Sequence, residues 1–229
     1  MEVVMQGFGG QGVVLAGNCL VHAAIFDGIY AQSLPCYGPE RRAGIVTVFL
    51  RLSDKPIRKK CAFVEADCAV LMLNSLFEAF IHNGYLSADV GGASPEGKYI
   101  MRADDAVLRS MFSAGGTGIN TIRLRKGGIV VANTKMKPED FKKGEAKNLG
   151  LSKLALVDAD TISDGIYGKR AIPLVNVPML GAFAKVVDKL SQESIISAVK
   201  KLWPKEADLN VKAFEMAYEA TNVKELLGV

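Results

Sequence analysis

The stretch EVVMQGFGGQGVVLAGNCLVHAAIF, residues 2–26, decides the fold of this chain. Its apolar start, Glu2–Gln6, predicts a strand, and the glycine-rich residues 7–12, GFGGQG, predict a tight turn after it. The apolar residues that follow recur at helical spacing: Val13, Val14, Leu20, Val21, Ala24 and Ile25. A strand, a glycine turn and a helix in this order predict the start of a βαβ unit and therefore an α/β fold.

The rest of the chain continues this alternation. Strands are predicted at 28–31, 45–52, 67–74, 121–126, 127–134 and 154–158. Helices are predicted from Ser75 and, in a helical C-terminal region, from about Pro173, Ser191 and Leu209. The stretch SLPCYGPERRAG, residues 33–44, is too rich in Gly and Pro to predict regular structure. The pattern favours an open, mostly parallel sheet with helices on both faces.

A Gly-rich segment at residues 84–120 interrupts the alternation. It holds seven glycines in 37 residues, and only Lys98–Arg102 in it predicts a short strand. We therefore expect one α/β domain over residues 1–229, with an insertion at 84–120.

Composition and charge exclude several classes of protein. Apolar residues make up 49% of the chain and charged residues 23%, which is typical of a packed globular protein and excludes a largely disordered one. The net charge of +4 comes from residues 51–60, RLSDKPIRKK, which hold five basic residues and one acid. The remainder is balanced, so the sequence favours a local basic patch over a protein that binds nucleic acid.

Cysteine spacing and hydropathy bear on metal sites and location. The four cysteines stand at 19, 36, 61 and 68 without a CxxC pair, so we expect neither a zinc site nor an iron–sulfur cluster on this chain. No apolar run reaches the roughly 20 residues that span a bilayer, and the N-terminus lacks the pattern of a signal peptide. These features predict a cytoplasmic protein with free thiols and no membrane contact.

The glycine turn has three interpretations. Gly7, Gly9 and Gly12 match G-x-G-x-x-G, whose backbone can approach a phosphate-bearing ligand at the N-terminus of a helix, or a loop of a partner. A nicotinamide cofactor would also need an acid after the second strand, but the region YAQSLP has none, and Asp27 precedes that strand. The glycines could instead serve only close packing of helix and strand.

Two further features are candidates for a site. In YGPERRAG, residues 37–44, Arg42 could clamp a phosphate or carboxylate with Glu40 orienting it, or the charges could form a solvated pair on a surface turn. In an open α/β sheet this loop is expected near the glycine turn. In IPLVNVPMLGAFAK, Asn176 lies at the start of a helix, where capping that helix is the simplest role.

These segments together resemble the gamma subunit of the 2-oxoacid:ferredoxin oxidoreductases, the pyruvate:ferredoxin oxidoreductase family. The matching segments are GFGGQGVVLAG, YGPERRAG, LRKGGIVVANT, NVPMLGAF and LNVKAFEMAYE, in that order. Tyr37, Gly38, Glu40, Arg42 and Gly44 match the family's S-Y-G-x-E-x-R-G-G loop. Cys36 replaces its Ser and Ala43 the first Gly of its closing pair. The resemblance covers most of residues 1–83 and 121–225.

The resemblance implies a subunit of an enzyme. Such enzymes oxidatively decarboxylate a 2-oxoacid such as pyruvate with coenzyme A and reduce ferredoxin, in anaerobic metabolism. Thiamine diphosphate, Mg and iron–sulfur clusters belong to partner subunits of the alpha, beta and delta types. This chain is therefore expected to bind no cofactor or metal alone and to carry no catalytic residue, and its two histidines to be structural. In isolation it could form a homodimer.

The resemblance also selects the candidate site. We expect the glycine turn and the 37–44 loop to face the catalytic subunits, and to form either part of the coenzyme A site or the surface that closes over the thiamine site. The residues concerned are Gly7, Gly9, Gly10, Gln11, Gly12, Tyr37, Gly38, Glu40, Arg42 and Asn176. The alternatives are a stand-alone Rossmann-like protein that binds NAD(P), a ligand-free assembly module, and a nucleic-acid binder that uses the basic patch.

Overall fold

The computed structural model describes residues 1–37, 44–86, 121–140 and 149–226. Its strands are β1 (Glu2–Phe8), β2 (Tyr30–Tyr37), β3 (Ile45–Ser53), β4 (Glu65–Leu71), β5 (Arg123–Asn133), β6 (Leu151–Val157) and β7 (Asn222–Glu225). Its helices are α1 (Val13–Phe26), α2 (Asn74–Asn83), α3 (Ala159–Tyr167), α4 (Asn176–Val186), α5 (Gln192–Leu202) and α6 (Ala207–Ala220). The expected insertion and its strand at 98–102 lie almost wholly outside the described residues.

The strands form one mixed sheet. Its order is β2-β3-β1-β4-β5-β6-β7 among the described residues, with β1, β4, β5 and β6 parallel at the centre. Strand β3 is antiparallel to both β1 and β2, and β7 is antiparallel to β6. Strand β3 thus lies between β1 and β2, so the two strands of the first strand–helix–strand unit, β1 and β2, are not neighbours in the sheet.

Helices cover both faces of the sheet, as the sequence predicts. One core packs α1, α3, α4, α5 and α6 on alternate residues of the strands, such as Met5 and Val70. The other core lies on the opposite face and is centred on Phe77 and Phe80 of α2, with Phe49 of β3. Among the residues that the structure describes, no helix is long and apolar enough to cross a membrane.

Helix α4 lies deepest in the first core. Nine of its eleven residues are buried, and its most extensive contact with another element is with α6. Gly181 makes this contact possible, because a Cβ at that position would overlap the backbone oxygen of Phe214.

Several local predictions need correction. Ile25 is 63% exposed and does not belong to the buried face of α1, which instead uses small residues such as Ala16 and Ala23. The second strand begins at Tyr30 and extends through Pro35 to Tyr37, because pairing with β3 overrides the weak strand propensity of Ser33–Tyr37. The two predicted strands at 121–134 are one strand, β5, with a register irregularity at Gly128.

Candidate functional site

The glycine turn lies at the carboxyl end of β1, where the parallel strands end. Gly10 and Gly12 have φ of 104° and 86°, a region that side chains disfavour. A Cβ on Gly7 would lie 2.8 Å from the Val13 side chain and 2.9 Å from Cβ of Met72. The glycines therefore serve close packing, and this part of the packing interpretation holds whatever the turn binds.

Gln11 points into the protein. It is 2% exposed, its Oε1 accepts a hydrogen bond from the Phe8 N–H at 2.7 Å, and its Nε2 donates to the Met72 carbonyl at 3.2 Å. Both ends of the carboxamide are thus used to hold the turn against the end of β4. In this arrangement Gln11 shapes the site by holding the turn.

A second buried amide joins the ends of the neighbouring strands. Asn133, the last residue of β5, donates to the Met72 carbonyl at 3.0 Å and to Asp160 at 2.9 Å, and accepts from the Ala159 N–H at 2.9 Å. Burial raises the pKa of Asp160, and the hydrogen bond from Asn133 partly opposes this shift. The sequence predictions did not include Asn133 or Asp160. The available signal was the polar Asn-Thr pair at the end of a buried strand.

Asn176 contacts the glycine turn although the two are widely separated in the sequence. A Cβ on Gly12 would lie 2.7 Å from Cγ of Asn176, so α1 and α4 begin side by side. The Asn176 side chain is only 6% exposed and makes no hydrogen bond to any residue in the described ranges. It does not cap α4, contrary to the simplest sequence interpretation.

The first turns of α1 and α4 offer unused donors at this place. Neither helix has a side-chain cap; their N-caps are Gly12 and Val175. The first backbone N–H groups of a helix have no partner within it, and they carry the positive end of the helix dipole. With the Asn176 amide beside them, they form a surface suited to an anion such as a phosphate.

The 37–44 loop reaches the same edge of the sheet. The Gly9 N–H donates to the Gly44 carbonyl at 2.9 Å, and Phe8 pairs with Ile45 at the start of β3. The sequence prediction that this loop adjoins the glycine turn is thus confirmed at Gly44. Tyr37 is 68% exposed. Gly38, Glu40 and Arg42 lie outside the described residues.

The donor set of the described residues suits neither a metal nor a cluster. Cys19 and Cys68 are buried in the first core, where burial raises the pKa of Cys19 to about 12 and also raises that of Cys68. Nowhere in the described ranges do three His, Cys, Asp or Glu side chains come together to hold a metal ion. His22 and His82 lie in α1 and α2, the locations that the sequence predicts.

Comparison with known proteins gives consistent matches. The profile of the pyruvate ferredoxin/flavodoxin oxidoreductase family matches residues 2–220. The pyruvate/ketoisovalerate oxidoreductases common subunit gamma of Thermococcus litoralis is 36% identical, over 99% of this chain and 100% of that protein. The crystal structure of pyruvate oxidoreductase subunit PORC from Thermotoga maritima superposes with a TM-score of 0.64 at 25% identity, over 98% of each chain.

The fold also occurs inside a longer chain. In 2-oxoglutarate:ferredoxin oxidoreductase from Magnetococcus marinus, solved with 2-oxoglutarate, coenzyme A and succinyl-CoA bound, the match covers 96% of this chain and 30% of that one. The TM-score is 0.60 and the identity 13%, which is a likeness of fold alone.

Proposed function

The chain belongs to the pyruvate ferredoxin/flavodoxin oxidoreductase family, and we propose that it is the gamma subunit of a complex that oxidatively decarboxylates a 2-oxoacid with coenzyme A and reduces ferredoxin. Full-length similarity to a gamma subunit carries this proposal. Pyruvate and a branched-chain 2-oxoacid are the first substrates to test, because the Thermococcus relative is named for both oxidoreductases. A subunit common to two enzymes contributes little to the choice between their substrates.

This chain supplies binding groups and its partners supply the chemistry. Thiamine diphosphate, Mg and the iron–sulfur clusters, which carry out decarboxylation and electron transfer, would be held by alpha, beta and delta-type subunits. The described residues offer backbone N–H groups and amides at the carboxyl edge of the sheet. Such groups can bind and orient an anionic substrate.

The Asn176 amide is the observation that supports a contact with coenzyme A. Asn176 lies beside the first turns of α1 and α4, neither of which has a side-chain cap, so its carboxamide can donate a hydrogen bond to a ligand oxygen bound there. Gly12 and the first turn of α1 lie beside it and suit a pyrophosphate. We place the coenzyme A contact at Gly9, Gly10, Gly12 and Asn176, with charge from Arg42.

Purification from the source organism tests the function. The tagged chain is isolated without oxygen and studied by native mass spectrometry and by dye reduction that depends on a 2-oxoacid and coenzyme A. We expect co-purified subunits that carry thiamine diphosphate and iron–sulfur clusters, and activity on one or more 2-oxoacids. A stable chain without such partners would contradict the proposal and favour the stand-alone NAD(P)-binding alternative.

A further inference from the structure

A basic loop, defined as residues 54–64 between β3 and β4, lies at the amino edge of the parallel strands, opposite the glycine turn. Four of its cations are exposed: Lys55, Arg58, Lys59 and Lys60. None of these four forms a salt bridge with any residue that the structure describes. The loop's only acid, Asp54, is already paired with Lys189 at 2.6 Å.

Arg51 fixes the shape of the basic loop. Its guanidinium is buried and donates to the carbonyls of Lys59 at 3.4 Å and Cys61 at 2.6 Å, while its Nε donates to Glu2 at 2.9 Å. It also lies 5.2 Å from the centre of the Phe63 ring, which is itself buried. Arg51 therefore anchors the loop backbone at Lys59 and Cys61, beside the exposed cations.

An open cleft of about 280 Å³ lies beside these cations. Leu52, Pro56 and Ile57 supply apolar lining, and Arg58 and Lys59 supply positive charge. Its only carboxylate, Glu2, is bound to Arg51 and Arg125. The volume lies below that of pockets for drug-sized ligands, so the cleft suits one or two side chains and not a nucleotide cofactor.

We propose that the basic loop and its cleft dock an acidic segment of a partner subunit, with one apolar side chain of that segment seated in the cleft. This inference rests on the proposed function. Unpaired cations on an ordered backbone favour a partner of opposite charge. Nucleic acid fits less well, because the loop's one aromatic residue, Phe63, is buried.

The test compares two variants with equal changes in net charge. R58Q/K59Q/K60Q removes three cations from the loop, and K200Q/K205Q/K212Q removes three exposed lysines from the region of α5 and α6. Each is co-expressed with the partner subunits, and the gamma subunit retained in the complex is measured by native mass spectrometry between 50 and 500 mM NaCl. Thermal unfolding of each chain checks that the fold is kept. K60E, which changes one residue of the loop, is the second variant if the triple variant does not fold.

We expect the loop variant to bind about tenfold more weakly at 50 mM NaCl, with no difference from the parent at 500 mM, because salt screens exposed charges. The control should match the parent at every salt concentration. Equal behaviour of the loop variant and the parent overturns the docking proposal alone, as does equal loss in both variants, which would indicate only net charge. Tighter binding of a DNA or RNA duplex by the parent than by the loop variant would reassign the patch to nucleic acid. Absence of any oxidoreductase partner would overturn the proposed function as well.

Discussion

Replacing Asn176 by Asp tests whether the glycine turn binds an anion. The substitution keeps the size of the side chain and places a negative charge beside the first turns of α1 and α4. Its cost to the fold is reduced, because a negative charge at the start of a helix is favourable and offsets part of the cost of burying a carboxylate. The new negative charge repels a bound phosphate.

The size of this repulsion follows from the geometry. Asn176 atoms lie 2.7–2.9 Å from the position of a Cβ on Gly12. A phosphate oxygen that accepts a hydrogen bond from the turn adds about 2.9 Å, which puts the two charges about 6 Å apart. At an effective dielectric constant of about 20 the repulsion is about 2.8 kcal/mol, or a hundredfold increase in the apparent KM for coenzyme A.

Asn210 provides the matched control. It is also 6% exposed, but it lies in α6, where it accepts a hydrogen bond from Tyr167 at 2.6 Å. Asn210→Asp therefore places the same group in α6, outside the candidate site, and should leave KM unchanged. Both variants are assayed as the purified complex, by dye reduction at saturating 2-oxoacid and pH 8, where the new carboxyl groups are ionised to the greatest extent.

Two results would refute the coenzyme A contact. An apparent KM for coenzyme A within twofold of the parent would show that no anionic group binds near Asn176. Failure of the Asn176→Asp chain to assemble, with Asn210→Asp assembling normally, would show that this surface contacts a partner subunit instead.

Three further predictions use the same complex or the isolated chain. Arg42→Ala should raise the apparent KM for coenzyme A with assembly retained, and loss of assembly in native mass spectrometry would make Arg42 an interface residue. Gly181→Ala should lower the free energy of unfolding, measured in urea, by about 2–3 kcal/mol, because the new Cβ meets the backbone of α6. Its control, Gly165→Ala, adds a Cβ in open space and should raise that free energy by up to about 1 kcal/mol. Equal effects of the two substitutions would contradict this packing. Burial opposes the lowering of the pKa of Glu2, but hydrogen bonds and charges from its two arginine partners outweigh it. The ionised Glu2 carboxylate therefore stabilises the fold above about pH 4.3, and this contribution is lost as the pH falls through the folded pKa. Between pH 5 and 3 the Tm of the Glu2→Gln variant should fall less steeply than that of the parent.

Local patterns in the sequence predicted most of the elements. The glycine turn, β3 and α2 lie within one residue of where spacing and composition place them, because strands and helices bury residues at fixed periods. Strand β4 was predicted at 67–74 and lies at Glu65–Leu71, because α2 already begins at Asn74. The error at Ile25 and the missed helix α3 show the limit of that method. Periodicity identifies the apolar residues that recur at helical spacing. Only the packing of α1 against β3 and α5 shows which of those residues are buried.

The candidate site was predicted in part. The sequence pointed to the glycine turn, the 37–44 loop and Asn176, and the contacts at Gly44 and Gly12 bring these three segments to one edge of the sheet. It did not predict that Gln11 turns inward, nor that Asn133 bonds the same Met72 carbonyl. Such hydrogen bonds depend on where β4 ends relative to β1, which no motif encodes.

The sequence by itself determined the strand, the glycine turn and the helix at residues 2–26, because these depend on neighbours within a few positions. Only the tertiary structure decided that β3 lies between β1 and β2, that Asn176 meets Gly12, and that Arg51 anchors the basic loop. Each of these depends on groups from separate segments that meet only when the sheet assembles. Their energies come from burial and hydrogen bonds completed across the whole fold, and a local pattern cannot report them.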